Sequence, residues 1–165
     1  MGYGNIDRQD DGVAWYVLYE IKQILSPEKK LDPGDIVSLG KDQPDLFFYP
    51  QLTPEIADIA SDYDAVCFVD CHTGSFPEDI RITEIESHYQ TSAFTHHMTP
   101  GTILALIEMM HHKKIGGLLV SVKGYEFKFD QTLSSNTQEL IKPAVKQILT
   151  WVEKIKGNEN NPVTG

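Results

Sequence analysis

The sequence predicts an α/β fold in which helices cover a mostly parallel sheet. Residues 65–70 and 117–122 are short apolar runs, as expected of strands buried on both faces. Segments with helical periodicity alternate with such runs, which is typical of parallel sheets. The length of 165 residues suits one domain.

The first half of the chain contains two predicted helices. Residues 12–25 place their apolar side chains on one helical face, and Asp10 or Asp11 can cap the amino end. Thr53 is expected to cap a short second helix, because Pro54 suits its first position.

The second half of the chain contains two more predicted helices. One begins at Thr99 or Thr102, and the other spans residues 135–155. Pro143 should kink this last helix or mark its start. The polar residues 157–165 are predicted to form a disordered tail, so that the domain covers residues 1–156.

Further strands are predicted at residues 46–49 and 80–85. In the second, apolar and polar side chains alternate, as in an edge or antiparallel strand. The run 65–70 ends on the carboxylate of Asp70, which would be costly to bury without a partner.

Composition narrows the classes of function. The formal net charge of -10 argues against nucleic-acid binding, because phosphates would repel such a surface. No segment has the apolar length of a membrane helix, and residues 1–7 do not resemble a signal peptide. Cys67 and Cys71 are too far apart along one predicted strand to form a disulfide, so we expect reduced thiols in a cytoplasmic protein.

Loops at the carboxyl edge of the predicted sheet contain the candidate site residues. In open α/β sheets, sites form outside the carboxyl ends of the strands. The residues in these loops are Gly4-Asn5 with Asp10-Asp11, then Asp70, then His96-His97. Two carboxylates and an imidazole suit a borderline divalent ion such as nickel or zinc, and leave coordination positions open for water or substrate. Water on such an ion is acidified and can attack an amide.

Each candidate also has a purely structural explanation. Asp10 and Asp11 can be helix caps, Asp70 can cap a turn, and the histidines can be solvated loop residues. The sequence contains no P-loop, no His-Glu-x-x-His and no Cys-x-x-Cys, and Asp7 interrupts the glycine pattern of a dinucleotide site.

These motifs, in this order, resemble those of the [NiFe] hydrogenase maturation endopeptidases. In that family a Gly-Asn pair precedes an acidic pair and the first helix, as in residues 4–13. A buried strand ending in Asp follows, as in residues 68–70, and then a histidine before an aliphatic helix, as in residues 95–106. Residues 118–145 resemble the family's last strand and helix.

The resemblance implies a three-layer α/β/α sandwich of the phosphorylase/hydrolase-like type. It implies an endopeptidase that removes the C-terminal extension of a [NiFe] hydrogenase large-subunit precursor after nickel insertion. The nickel is expected to be carried by the substrate, and no organic cofactor is expected. The implied catalytic and metal-binding residues are Asp11, Asp70 and His96. The expected substrate contacts are Gly4, Asn5 and His97.

The sequence departs from the family pattern near its start and around its histidines. The family has a hydrophobic strand before its glycine motif, so a segment upstream of Met1 is expected. His72 and His97 add possible ligands, and a gap of one residue would exchange His97 for His96. Two other functions are compatible with these residues. One is a zinc-dependent hydrolase of small amides, and the other is a non-enzymatic nickel-binding scaffold.

Overall fold

The computed structural model describes residues 1–87 and 98–159. Its strands are β1 (Gly2–Tyr3), β2 (Ile36–Ser38), β3 (Asp45–Tyr49), β4 (Ala65–His72), β5 (Ile80–Glu84) and β6 (Gly116–Lys123). Its helices are α1 (Val13–Leu25), α2 (Glu55–Ala60), α3 (Pro100–His111) and α4 (Ser135–Glu159).

Within the described residues the strands form a 6-stranded sheet in the order β2-β3-β1-β4-β6-β5. The short strand β1 is parallel to β3 on one side and to β4 on the other, and β4 is parallel to β6. The edge strands β2 and β5 are antiparallel to their neighbours. The predictions of a mostly parallel sheet and of an antiparallel strand near residues 80–85 are therefore confirmed.

The helices form two layers, one on each face of the sheet. Val17 of α1 and Ile148 of α4 share a buried cluster with Val69 of β4. Ile56 of α2 and Ile103 of α3 share the other cluster with Phe68, the preceding residue of β4. Because successive side chains of a strand point to opposite faces, β4 contributes to both cores. The three-layer α/β/α architecture is confirmed.

Two predicted caps are wrong. The N-cap of α1 is Gly12, because Asp10 and Asp11 lie in a 3-10 turn that ends before the helix begins. Pro54, rather than Thr53, is the N-cap of α2. The prediction for α3 is confirmed, since Thr99 Oγ1 accepts a hydrogen bond of 3.3 Å from the backbone N–H of Thr102.

Helix α4 is longer than predicted. It begins at Ser135, so Pro143 lies inside the helix and does not mark its start. Val145 and Ile148 of its apolar face are buried in the core, and this packing stabilises a helix that proline alone would weaken. The helix continues to Glu159, past the start of the predicted tail at Gly157. Residues 160–165 lie outside the described part of the chain.

Two findings bear on the environment of the protein. Cys67 and Cys71 are free thiols. Among the described helices, none is long and apolar enough to cross a membrane.

Candidate functional site

Asp70 lies near the carboxyl end of β4, where its half-buried side chain is held by hydrogen bonds. Its Oδ2 accepts from the Tyr3 hydroxyl at 2.9 Å, and its Oδ1 accepts from the backbone N–H of Cys71 at 2.7 Å. Burial raises the pKa of Asp70 to about 6; the hydrogen bonds from Tyr3 and Cys71 oppose this rise, and the charge of Asp11 adds to it. The carboxyl group therefore titrates much closer to neutrality than an ordinary aspartate.

Asp11 approaches the same edge of the sheet from the loop between β1 and α1. Its Oδ2 accepts a hydrogen bond of 3.1 Å from the backbone N–H of Asn5. Its charge adds slightly to the raised pKa of Asp70, which indicates that the two carboxylates lie in the same region of the site. The fold thus brings together two side chains that are far apart in the sequence.

Gly4 and Asn5 give this loop its shape. Gly4 has a φ of 139°, and a Cβ at this position would lie 2.1 Å from the backbone oxygen of Asp11. The side-chain Oδ1 of Asn5 accepts from the backbone N–H of Asp7 at 2.9 Å, which is an Asx turn. Both residues therefore position Asp11, whether or not they also contact a substrate.

Replacing Gly4 with alanine is expected to destabilise the protein by about 2 kcal/mol, because the added Cβ meets the Asp11 backbone in a strained conformation. Urea unfolding followed by circular dichroism measures the free energy of unfolding. Gly34→Ala is the matched control, since Gly34 has a φ of 88° but nothing within 4 Å of its added Cβ. Equal losses in the two variants would contradict the predicted collision.

Asp10 is fully buried and joins two loops. Its Oδ2 accepts from the backbone N–H groups of Tyr125 and Glu126 at 2.8 Å and from the Ser134 hydroxyl at 2.7 Å. Its Oδ1 accepts from the backbone N–H of Ser134 at 2.8 Å. Burial alone would raise the pKa of Asp10, but these hydrogen bonds bring it below its ordinary value. Asp10 thus ties the Asp11 loop to the segment between β6 and α4.

Asp70 belongs to a polar row that crosses the sheet. Ser121 of β6 pairs with Asp70, and Arg81 of β5 pairs with Ser121. Paired residues on neighbouring strands point to the same face, and Phe68, two residues before Asp70, faces α2 and α3. The row therefore lies on the face of the sheet that those helices cover, next to an apolar row that contains Phe68 and Leu119.

His72 is buried on this same face. Its Nδ1 accepts from the backbone N–H of Gly74 at 3.2 Å, so Nε2 bears the proton of the neutral ring. Burial lowers the pKa of His72, and the backbones of Asp79 and Glu78 oppose this fall. Among the described residues, no group makes a hydrogen bond of normal geometry with Nε2. The ring packs against Phe76, with centroids 5.4 Å apart.

The predicted imidazole ligand cannot be placed in this geometry. His96 and His97 lie outside the described residues, directly before the segment that leads into α3. Within residues 1–87 and 98–159, no three His, Cys, Asp or Glu side chains form a group that could hold a metal ion. The metal-binding trio of Asp11, Asp70 and His96 therefore stays a prediction, as do the substrate contacts of Gly4, Asn5 and His97.

Solved structures share this architecture. A hydrogenase maturating endopeptidase, HybD from E. coli, superposes with a TM-score of 0.62 and 15% identity, over 93% of this chain and 90% of that one. A [NiFe] hydrogenase maturation protease, HycI from Thermococcus kodakarensis, superposes with a TM-score of 0.61 and 15% identity, over 92% of this chain and 89% of that one. An endopeptidase from Escherichia coli superposes with a TM-score of 0.63 and 15% identity, over 93% of this chain and 92% of that one.

The chain has the fold of the hydrogenase maturation proteases. No protein-family model and no curated protein matches the sequence. Among these comparisons, the likeness is therefore found through the three-dimensional structure.

The sequence alone did not identify three residues that lie near Asp70 in this maturation protease fold. Tyr3 lies in a strand that is too short to be recognised from the sequence pattern. Ser121 left a weak signal, as a polar residue inside a buried apolar run. Arg81 resembled a solvent-exposed charge on an edge strand, and only the pairing of β5 with β6 places it in the row of Asp70.

Replacing Tyr3 with phenylalanine is expected to move the acid limb of activity to higher pH. The Tyr3 hydroxyl lowers the pKa of Asp70 by donating to its charged form, so its loss should raise that pKa. The pH dependence of kcat/KM measures the shift. Tyr63→Phe is the matched control, because Tyr63 donates to Asp45 at 2.9 Å, outside the site. An unchanged acid limb in Tyr3→Phe would show that Asp70 does not set it.

Proposed function

We propose that this protein is an endopeptidase that removes the C-terminal extension of a [NiFe] hydrogenase large-subunit precursor after nickel insertion. The main support is the pair of interacting carboxylates, Asp11 and Asp70, at the carboxyl edge of a sheet whose fold is shared with hydrogenase maturation proteases. Loops at this edge are where open α/β sheets form their sites.

In this proposal Asp11, Asp70 and His96 bind the nickel that the precursor carries. Oxygen and imidazole donors suit a borderline divalent ion. At pH 7 Asp70 is mostly ionised, because its pKa is about 6. His97 is the alternative imidazole ligand, since it is adjacent to His96.

The hydrogen bonds of the two carboxylates orient them for this role. Tyr3 and the Cys71 N–H each occupy one lone pair of Asp70, and the Asn5 N–H occupies one of Asp11. A carboxylate has further lone pairs, which stay available for an ion. Three protein ligands leave nickel positions open for the precursor's own ligands, so that binding here makes the presence of nickel a condition for cleavage.

We also propose that the protein acts in the cytoplasm, on a protein partner rather than on nucleic acid. The free thiols of Cys67 and Cys71 are consistent with a reducing compartment. The net charge of -10 is unfavourable for a phosphate backbone.

A cleavage assay on nickel-loaded and nickel-free precursor tests the proposal. We expect release of the extension from the loaded precursor alone, detected by intact mass. Hydrolysis of small amides with added zinc, in the absence of a large subunit, would instead show an amide hydrolase. Binding of the loaded precursor without cleavage would show a scaffold protein.

A further inference from the structure

We propose that Arg81 binds a carboxylate of the peptide that is cleaved, at a subsite next to Asp70. This inference rests on the proposed function for the identity of the peptide. The carboxylate belongs either to an acidic side chain of the extension or to its C-terminus.

Among the described residues Arg81 has no acidic partner, although the protein has abundant acids. The chain has 24 Asp and Glu against 14 Lys and Arg. Nevertheless, among the described residues no carboxylate lies within salt-bridge distance of Arg81. Residues 88–97 and 160–165 contain no Asp or Glu. In the part of the chain that the structure describes, the half-buried Arg81 therefore has no anionic partner, and its guanidinium can bind a ligand anion.

The guanidinium of Arg81 is held in one orientation by aromatic stacking. Its Cζ lies 3.9 Å from the centroid of the Phe76 ring, and the Phe76 ring in turn packs against the buried His72. Stacking covers one face of the guanidinium plane and leaves the N–H groups at its edge free to donate. This arrangement suits a planar carboxylate, which can accept two parallel hydrogen bonds from the same group.

The position of Arg81 relates this subsite to the candidate active site. Arg81 pairs with Ser121, and Ser121 pairs with Asp70, so all three lie in one row on one face. Asp70 and Arg81 are at the two ends of the row, and two strand spacings, a distance of about 10 Å, separate them. An extended peptide advances about 3.3 Å per residue, so the carboxylate should lie about three residues from the group held at Asp70.

A cleft beside the row offers a path for such a peptide. It is lined by Thr83, Glu84, Ile85 and Glu86, by Leu119 of β6, and by residues 99–101 at the start of α3. The amino end of α3 carries a partial positive charge, which adds to that of Arg81. Glu84 and Glu86 also line this cleft, so the preference for a carboxylate rests on Arg81 itself and not on the charge of the whole cleft.

A binding experiment with acetate tests the subsite without any precursor. Arg8 and Arg81 are the arginines of the sequence, so each side-chain Nε–H signal of the ¹⁵N-labelled protein can be assigned. At constant ionic strength, we expect acetate to shift the Arg81 signal in a saturable manner and to leave Arg8 unchanged. Absence of a saturable shift at Arg81 would overturn the proposal.

A double-mutant cycle with the nickel-loaded precursor identifies the source of the carboxylate. We expect Arg81→Gln to raise KM about tenfold with little change in kcat, whereas Lys154→Gln, on the exposed face of α4, changes neither. One precursor series converts acidic side chains of the extension to amides, and the other amidates its C-terminus. In the series that neutralises the bound carboxylate, KM should rise by the same factor with wild-type protein. With Arg81→Gln, that change in the precursor should cause no further rise in KM.

Purely additive losses in both series would overturn the assignment to the peptide. A precursor that wild-type protein does not cleave would count against the proposed function. The acetate result would still decide whether Arg81 binds a carboxylate, so the two failures are distinguishable.

Discussion

Replacing Asp70 with asparagine is expected to abolish removal of the extension while leaving the fold intact. The amide has nearly the shape of the carboxylate but no charge, so it is a poor ligand for nickel. We expect the rate of processing to fall by roughly a hundredfold or more. Intact mass of the nickel-loaded precursor after timed incubation gives this rate.

Asp45→Asn is the matched control for this experiment. Asp45 accepts a hydrogen bond from Tyr63 at 2.9 Å, as Asp70 does from Tyr3, but it lies at the opposite end of its strand. This variant should process the precursor at the wild-type rate. Normal processing by Asp70→Asn would exclude a role for the Asp70 charge, and with it the proposed metal site.

The raised pKa of Asp70 predicts the pH dependence of both activity and stability. Since kcat/KM reports groups of the free enzyme, it should fall tenfold per unit below about pH 6. The folded state favours the protonated form of Asp70, so ionisation of Asp70 lowers the free energy of unfolding above its folded pKa. This penalty disappears as the pH falls towards the pKa that Asp70 has in the unfolded chain. Asp70→Asn should therefore be at least as stable as wild type at pH 7.

Replacing Asp10 with asparagine is expected to give the largest loss of stability, about 3 kcal/mol. The Asp10 carboxylate is fully buried and accepts from two backbone N–H groups and a hydroxyl through Oδ2. An asparagine amide can present only one acceptor oxygen, so its NH₂ group would face N–H donors and leave them without partners. Urea unfolding with circular dichroism measures the change in the free energy of unfolding.

Asp7→Asn is the control for Asp10→Asn, because Asp7 is exposed and accepts from the Gln131 side chain at 2.7 Å. It should cost less than about 1 kcal/mol. Since the folded pKa of Asp10 is below its ordinary value, its stabilising effect is present above the unfolded pKa, about 3.9, and is lost as the pH falls further. A difference between wild type and Asp10→Asn that did not shrink as the pH fell below the unfolded pKa would contradict this explanation.

The long, regular elements were predictable from sequence because their periodicity records burial. Helix α1 and strands β4 and β6 each appear as apolar patterns of the right period, since each buries a continuous stripe or both of its faces. Boundaries were less predictable. Asp10 precedes a helix and is a common cap residue, but its carboxylate is used by Tyr125 and Ser134, far along the chain.

The candidate site was predictable only in part. Asp70 was detectable because a charge directly after a buried run is unusual, and Asp11 because it follows a glycine motif at a helix start. The contact of Tyr3 with Asp70 and the place of Arg81 in the same row were not detectable, since both depend on which strands are neighbours. Strand order is set by contacts between distant segments, which no local pattern records.

Local sequence patterns were enough to predict the alternation of helices and strands, the α/β class and the loops in which reactive side chains lie. These features follow from local periodicity and from where charges interrupt apolar runs. The tertiary structure decided the rest: that Asp10 is a buried bridge rather than a cap, that Tyr3 orients Asp70, and that Arg81 lies in the row of Asp70. Each of these depends on long-range pairing, because hydrogen bonds and charge interactions act over a few ångströms of space whatever the separation along the chain.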